Sequence, residues 1–245
     1  ANVSILRPTV GVQVAGGARF SAEGLSIRDA VEHGVLVMEG SACNLRDVLI
    51  RDGRGRGVEA RESHLQVHRA LIHENAGIGV ALRGNSAPGP SGGAARCTPD
   101  GPSVEPGRLS CLSHASITCN GIAAVFAQGQ VRAAGSRLVL SGTRSVAATP
   151  GGDGLVVRGG AAFDLDPDVA AMGRGSEVVG NARVGILVQD PNSTLSMRGA
   201  LVGSNAGAGL FIGSLATVSR VVASEFAFNT GVGVAVATST ELMEF

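Results

Sequence analysis

The sequence predicts an all-β fold, a parallel β-helix of eight to nine rungs filling residues 1–245 as a single domain. Three observations carry that expectation. A short pattern recurs along the chain, apolar residues alternate with period two, and like residues fall into columns when the repeats are aligned.

The recurrence is clearest in Asn75-AGIGVAL, Asn120-GIAAVFA, Asn181-ARVGILV, Asn205-AGAGLFI and Asn229-TGVGVAV. Extending its small-residue position gives Gly11, Gly34, Gly57, Gly79, Ala124, Gly154, Gly185, Gly209 and Gly233, separated by 23, 23, 22, 45, 30, 31, 24 and 24 residues. A period of about 20–30 residues marks a solenoid, in which each repeat buries its apolar face on its neighbours. Within a repeat the alternation has period two, so the units are strands. The Leu-x-x-Leu-x-Leu signature of leucine-rich repeats is missing.

The first repeats stack apolar columns Phe20/Cys43/Leu65, Ala22/Leu45/Val67, Leu25/Val48/Ala70 and Ile27/Ile50/Ile72. Polar columns lie between them: Ser21/Asn44/Gln66, Glu23/Arg46/His68, Arg28/Arg51/His73 and Asp29/Asp52/Glu74. The repeated Asn is expected at a corner in the left-handed region, which Asn tolerates, with its amide bonded to the equivalent amide one rung away. The nearby Gly supplies positive φ or a close backbone approach.

Two places break the period. Residues 85–110 are crowded with Pro and Gly and read as an inserted loop, and 150–175 reads as a second irregular insertion. Function concentrates on such loops. Cys43 falls in a core column. Cys97 lies in the long loop, Cys111 aligns with Gln66 and Cys119 with Glu74, so Cys97–Cys111 or Cys97–Cys119 would pin the loop. Such a bridge implies an oxidising, extracytoplasmic compartment. Cys97, Cys111 and Cys119 lack the ligand spacing usual for zinc, and only His114 beside Cys111 and Cys119 leaves that reading open.

Composition removes several function classes. The chain contains no Lys, Trp or Tyr, and its 20 basic residues balance 20 acidic ones. No P-loop or Schiff-base lysine exists, and the neutral charge argues against nucleic acid as a partner. No apolar run reaches the about 18 residues of a membrane span. The chain opens on Ala1 without a signal peptide and reads as part of a longer protein, so neighbouring repeats of that protein are expected partners.

The N-x-x-[IVA]-G-[IVL]-x-[VIL] rungs resemble the right-handed parallel β-helix repeat superfamily, over roughly residues 10 to 240. Pectate lyases, polygalacturonases and autotransporter passengers share that fold. The resemblance implies the architecture and leaves the activity open, because function resides in sites carried by the fold.

Candidate chemistry has a structural reading beside each functional one. Asp29, Asp52 and Glu74 beside Arg28, Arg46 and Arg51 are what a lyase of acidic polysaccharide would use, carboxylates holding Ca²⁺ and Arg as base. As structure, adjacent columns of opposite charge relieve repulsion along each column. Asp164, Asp166 and Asp168 offer alternate carboxylates to Ca²⁺, or cap their own turn. His64 and His68 lie about 13 Å apart along a strand, too far to share a metal. Arg51-Asp-Gly-Arg54-Gly-Arg56 reads as a solvated turn. Carbohydrate-active β-helices stack sugars on Trp and Tyr, absent here, and no paired-Asp motif of the polygalacturonase kind occurs around Asp29 and Asp52. The expected function is an extracellular, non-enzymatic β-helix, secreted or at the cell surface, acting as a structural, adhesive or binding module for polysaccharide or protein. The alternative is a calcium-dependent polysaccharide lyase or related carbohydrate-active enzyme.

Overall fold

The protein is described from a computed structural model covering residues 3–84, 109–145, 151–166 and 175–237, and the backbone of 241–242. It is a right-handed parallel β-helix of three nine-stranded sheets, with no helix among the described residues. Each turn of the coil gives one strand to each sheet. In turn 1 the first sheet takes Val3–Leu6, the second Val10–Val14 and the third Arg19–Glu23. Turn 3 repeats this with Leu49–Arg51, Arg56–Arg61 and His64–His68.

The columns read from sequence are the registers of the sheets. Phe20 pairs with Cys43 and Cys43 with Leu65; Ile27 pairs with Ile50 and Ile50 with Ile72. The polar columns hold equally, with Glu23, Arg46 and His68 in one row and Arg28, Arg51 and His73 in another. One apolar core runs the length of the coil through fully buried residues such as Leu45, Ile50, Leu112 and Phe163. Inside it, burial pushes the Cys43 thiol up to about 12, so this cysteine behaves as a small hydrophobe.

The corner departs from expectation in one respect. None of Asn75, Asn120, Asn181, Asn205 and Asn229 has positive φ; the residue before the corner column does, as at Asp29, Asp52, Glu74, Cys119, Ser204 and Phe228. The left-handed residue turns the chain, and the Asn after it directs its amide under the corner. There Asn205 Nδ2 donates to Asn229 Oδ1 (2.9 Å) and to the Val178 carbonyl (3.1 Å). Its Oδ1 accepts from Asn181 Nδ2 (2.9 Å) and the Asn181 backbone N–H (3.0 Å). Asn75 Nδ2 donates in the same way to Asn120 Oδ1 (3.1 Å). Each amide therefore closes backbone groups that the turn leaves unpaired.

The repeated glycine is required by close approach and not by φ. A Cβ on Gly34 would lie 2.5 Å from the Gly57 carbonyl oxygen and 2.5 Å from Ile50 Cγ2. On Gly185 it would lie 2.6 Å from Asn205 Nδ2.

Of the segment read as the long insertion, residues 85–108 lie outside the described residues, and Ser110 belongs to the strand Ser110–Ser113 of the third sheet. The segment 150–175 holds two regular strands, Asp153–Arg158 and Ala162–Leu165, in register with their neighbours. Its remaining irregular part, 167–174, is outside the described residues, as is Asp168. Cys119 is a free thiol, which removes the Cys97–Cys119 pairing; Cys111 is a disulfide cysteine, and Cys97 lies outside the described residues.

Replacing Asn205 by Ala removes the acceptor of two buried Asn181 donors and the amide that donates to the Val178 carbonyl, while the Asn205 backbone N–H still donates to Asn229 Oδ1. Chemical denaturation is expected to show a loss on the order of 3 kcal/mol. A loss below about 0.5 kcal/mol, the level of an ordinary surface substitution, would mean the corner amides are not structural.

Candidate functional site

The outer face of the second sheet carries a group of residues that charge-column reasoning on the other two sheets does not reach. In Arg56–Arg61, Val58 and Ala60 point into the core, so Glu59 and Arg61 point outward. Register carries these two positions along the coil. One outward row runs Leu36, Glu59, Ala81, Phe126, Val156, Leu187 and Phe211. The next runs Arg61, Arg83, Gln128, Arg158 and Gln189.

The first row is apolar on the outside of the solenoid. Val156 and Leu187 are buried and pack with Ala123, Phe126, Val184 and Phe211 as a cluster separate from the core. Glu59 interrupts that row and is fully buried. Its Oε2 lies 2.7 Å from His33 Nε2, 2.7 Å from Arg56 Nη1 and 2.9 Å from Arg61 Nη2. Its Oε1 faces Arg83 Nε at 3.3 Å without hydrogen-bonding geometry. Burial opposes the charge of Glu59, but the hydrogen bonds from His33 and Arg61 and the fields of Arg56 and Arg61 outweigh it. The carboxyl is held well below the usual range. Arg83 lies over the Phe126 ring, 5.7 Å from its centroid. Burial, then the like charge of Arg56, pulls its pKa down despite Glu59.

Two clefts open beside this group. One, of about 550 Å³, is lined by Arg61, Glu62, Arg83, Gln128 and the glycines Gly84, Gly129 and Gly159. A smaller one, about 110 Å³, lies where the second and third sheets meet, between Arg83, His64 and Arg132. Both reach Gly84, the last described residue before position 109.

The residues singled out from sequence are not brought together. Arg28, Arg51 and His73 share the first sheet, and Asp29, Asp52 and Glu74 follow them at the corner. Arg46 stands on the third sheet between Glu23 and His68. Asp52 lies 3.4 Å from Arg51 Nε and Glu74 lies 3.3 Å from His73 Nδ1, while Asp29 is exposed at the corner. Asp164 points outward from the third sheet, and burial raises its pKa. Asp166 is buried and already engaged: Oδ1 accepts from the Arg137 N–H (2.9 Å) and Ser176 Oγ (2.9 Å), Oδ2 from the Ser176 N–H (2.6 Å). It ties Ser176 to the backbone of Arg137 on the preceding turn. Among the described residues no three His, Cys, Asp or Glu side chains form a metal-binding group. His114 Nε2 lies 3.1 Å from Arg137 Nη1, beside His68.

No protein-family model and no curated protein sequence matches the chain. Among solved structures, a double mutant of the periplasmic alginate epimerase AlgG superposes with a TM-score of 0.52 at 15% identity, covering 96% of this chain and 49% of that one. A single mutant of the same epimerase gives 0.50 at 14%, covering 94% and 48%. The chain thus spans about half the length of these structures, and the likeness is one of fold.

Glu59→Gln removes the charge around which three guanidiniums gather, and denaturation is expected to show a loss of about 3–5 kcal/mol near neutral pH. The Glu59 pKa is depressed on folding, so its contribution is complete above the ordinary value of 4.5 and is lost as pH falls below it. The gap between wild type and variant should stay constant down to that value and narrow beneath it. A gap independent of pH would assign the loss to packing.

Proposed function

We propose that the protein is an extracytoplasmic binding module that lays a polysaccharide chain along the outer face of its second sheet, without acting on it chemically. The observation that carries this reading is the pair of outward rows. Arg61, Arg83, Gln128, Arg158 and Gln189 repeat hydrogen-bonding side chains at the about 4.8 Å spacing of the strands, beside an apolar row with Phe126 and Phe211. A sugar presents the same two characters, hydroxyl edges and C–H faces, and a rigid solenoid holds its partners in place before binding.

The fold likeness to a periplasmic alginate epimerase supports a polysaccharide as the partner. The extracytoplasmic setting is supported by Cys111 as a disulfide cysteine. Binding is favoured over catalysis because the face's own acid and imidazole, Glu59 and His33, are tied to each other and to Arg56.

Electrophoresis of the full chain through gels containing single polysaccharides, both acidic and neutral, tests this. Retardation by at least one, with the polysaccharide's chain length unchanged after prolonged incubation, is the expected result. Shortening of the chain would replace binding by catalysis, and migration unaffected by every polysaccharide would overturn the reading.

A further inference from the structure

We infer that Arg61 and Arg83, on adjacent turns, form a seat for the carboxylate of an acidic sugar. This rests on the polysaccharide-binding reading and adds to it the charge of the ligand and the place where it is recognised.

The first argument is charge. Arg56, Arg61 and Arg83 gather at one buried carboxylate, Glu59, and the cleft beside them adds only Glu62. Arg158, the next cation along the row, already has Asp190 at 3.4 Å. The cleft wall therefore carries more positive than negative charge. Arg83 shows the imbalance, since the surrounding cations and its burial both work against its charged form. An incoming anion relieves that cost.

The second argument is donor geometry. Arg61 spends Nη2 on Glu59 (2.9 Å), and Arg83 turns Nε toward Glu59 (3.3 Å) while its guanidinium carbon lies over the Phe126 ring. Among the described residues, neither Nη group of Arg83 makes a hydrogen bond. Glu59 thus fixes both guanidiniums from beneath and leaves outward N–H groups. Arg61 and Arg83 are register partners, so these groups stand one strand spacing apart, about 4.8 Å. A planar carboxylate matches guanidinium forks in a way that a neutral hydroxyl does not.

The third argument is room. The cleft next to the two arginines is floored by Gly84, Gly129 and Gly159, which place no side chain in the path of a sugar ring. Gln128, in register with Arg83, supplies a neutral donor and acceptor for the hydroxyls that flank the carboxylate.

Calorimetry with a defined oligogalacturonate and with its methyl ester separates the possibilities on the unaltered protein. The acid is expected to bind about tenfold or more tightly than the ester. Arg61→Gln and Arg83→Gln should each abolish the preference, bringing the ratio of acid to ester affinity close to one. Equal binding of acid and ester would overturn the seat and leave the binding module standing. Preference for the acid that survives both substitutions would also overturn it, by placing recognition elsewhere. Binding of neither compound overturns the seat, and the polysaccharide gels then decide whether the module reading survives.

Discussion

The structure depends on parallel strands stacked in register, turn upon turn, broken among the described strand pairs by one bulge, where Leu195 pairs with Val218 and Ser196 with Arg220. Stacking of this kind makes every position a column, so whatever one residue costs at a corner is paid again at each turn above it. The corners are the hard part, because the chain must turn sharply from one sheet to the next and still satisfy buried amides. The chain solves this with a left-handed residue, then a side-chain amide pointing inward, then a glycine at which a Cβ would meet the backbone of the next turn.

That constraint explains which parts of the fold were legible. Residues such as Ile27, Ile50 and Ile72 declare their column by identity, and the Asn and Gly positions repeat for steric and hydrogen-bonding reasons that vary little between turns. The assignment of the left-handed conformation to Asn missed by one residue. Glu74 is polar like the Asn75 that follows it, so composition did not distinguish the residue that bends from the residue that fills. Gly154, a member of the repeat series, marks the strand at Asp153–Arg158, whereas the strand at Ala162–Leu165 falls within the segment read as irregular.

The functional face was harder to see, again for physical reasons. Charge columns on the first and third sheets drew attention because their residues repeat in type. On the second sheet the informative signal is a break in type: Glu59 between Leu36 and Ala81, with Arg56 and Arg61 on either side of it. Aligning that strand would have exposed a carboxylate in an apolar row. Arg83 joins the group only because its strand lies beside Glu59's in space. A buried charge so heavily paired is expensive to maintain, and its consequence here is an ordered patch of guanidiniums at the mouth of a cleft. The acids at the corner, by contrast, lie along the surface of the rod beside Arg51 and His73.

Because every basic residue in the chain is Arg, one reagent reports on all 20 of them. Modification by phenylglyoxal in the presence and absence of polygalacturonate, read by mass spectrometry, tests the central claim most directly. The account predicts protection at Arg61 and Arg83, on the outer face of the second sheet, with Arg28 and Arg51 on the first sheet modified at their unprotected rate. Protection of Arg28 and Arg51, with Arg61 and Arg83 left reactive, would contradict it.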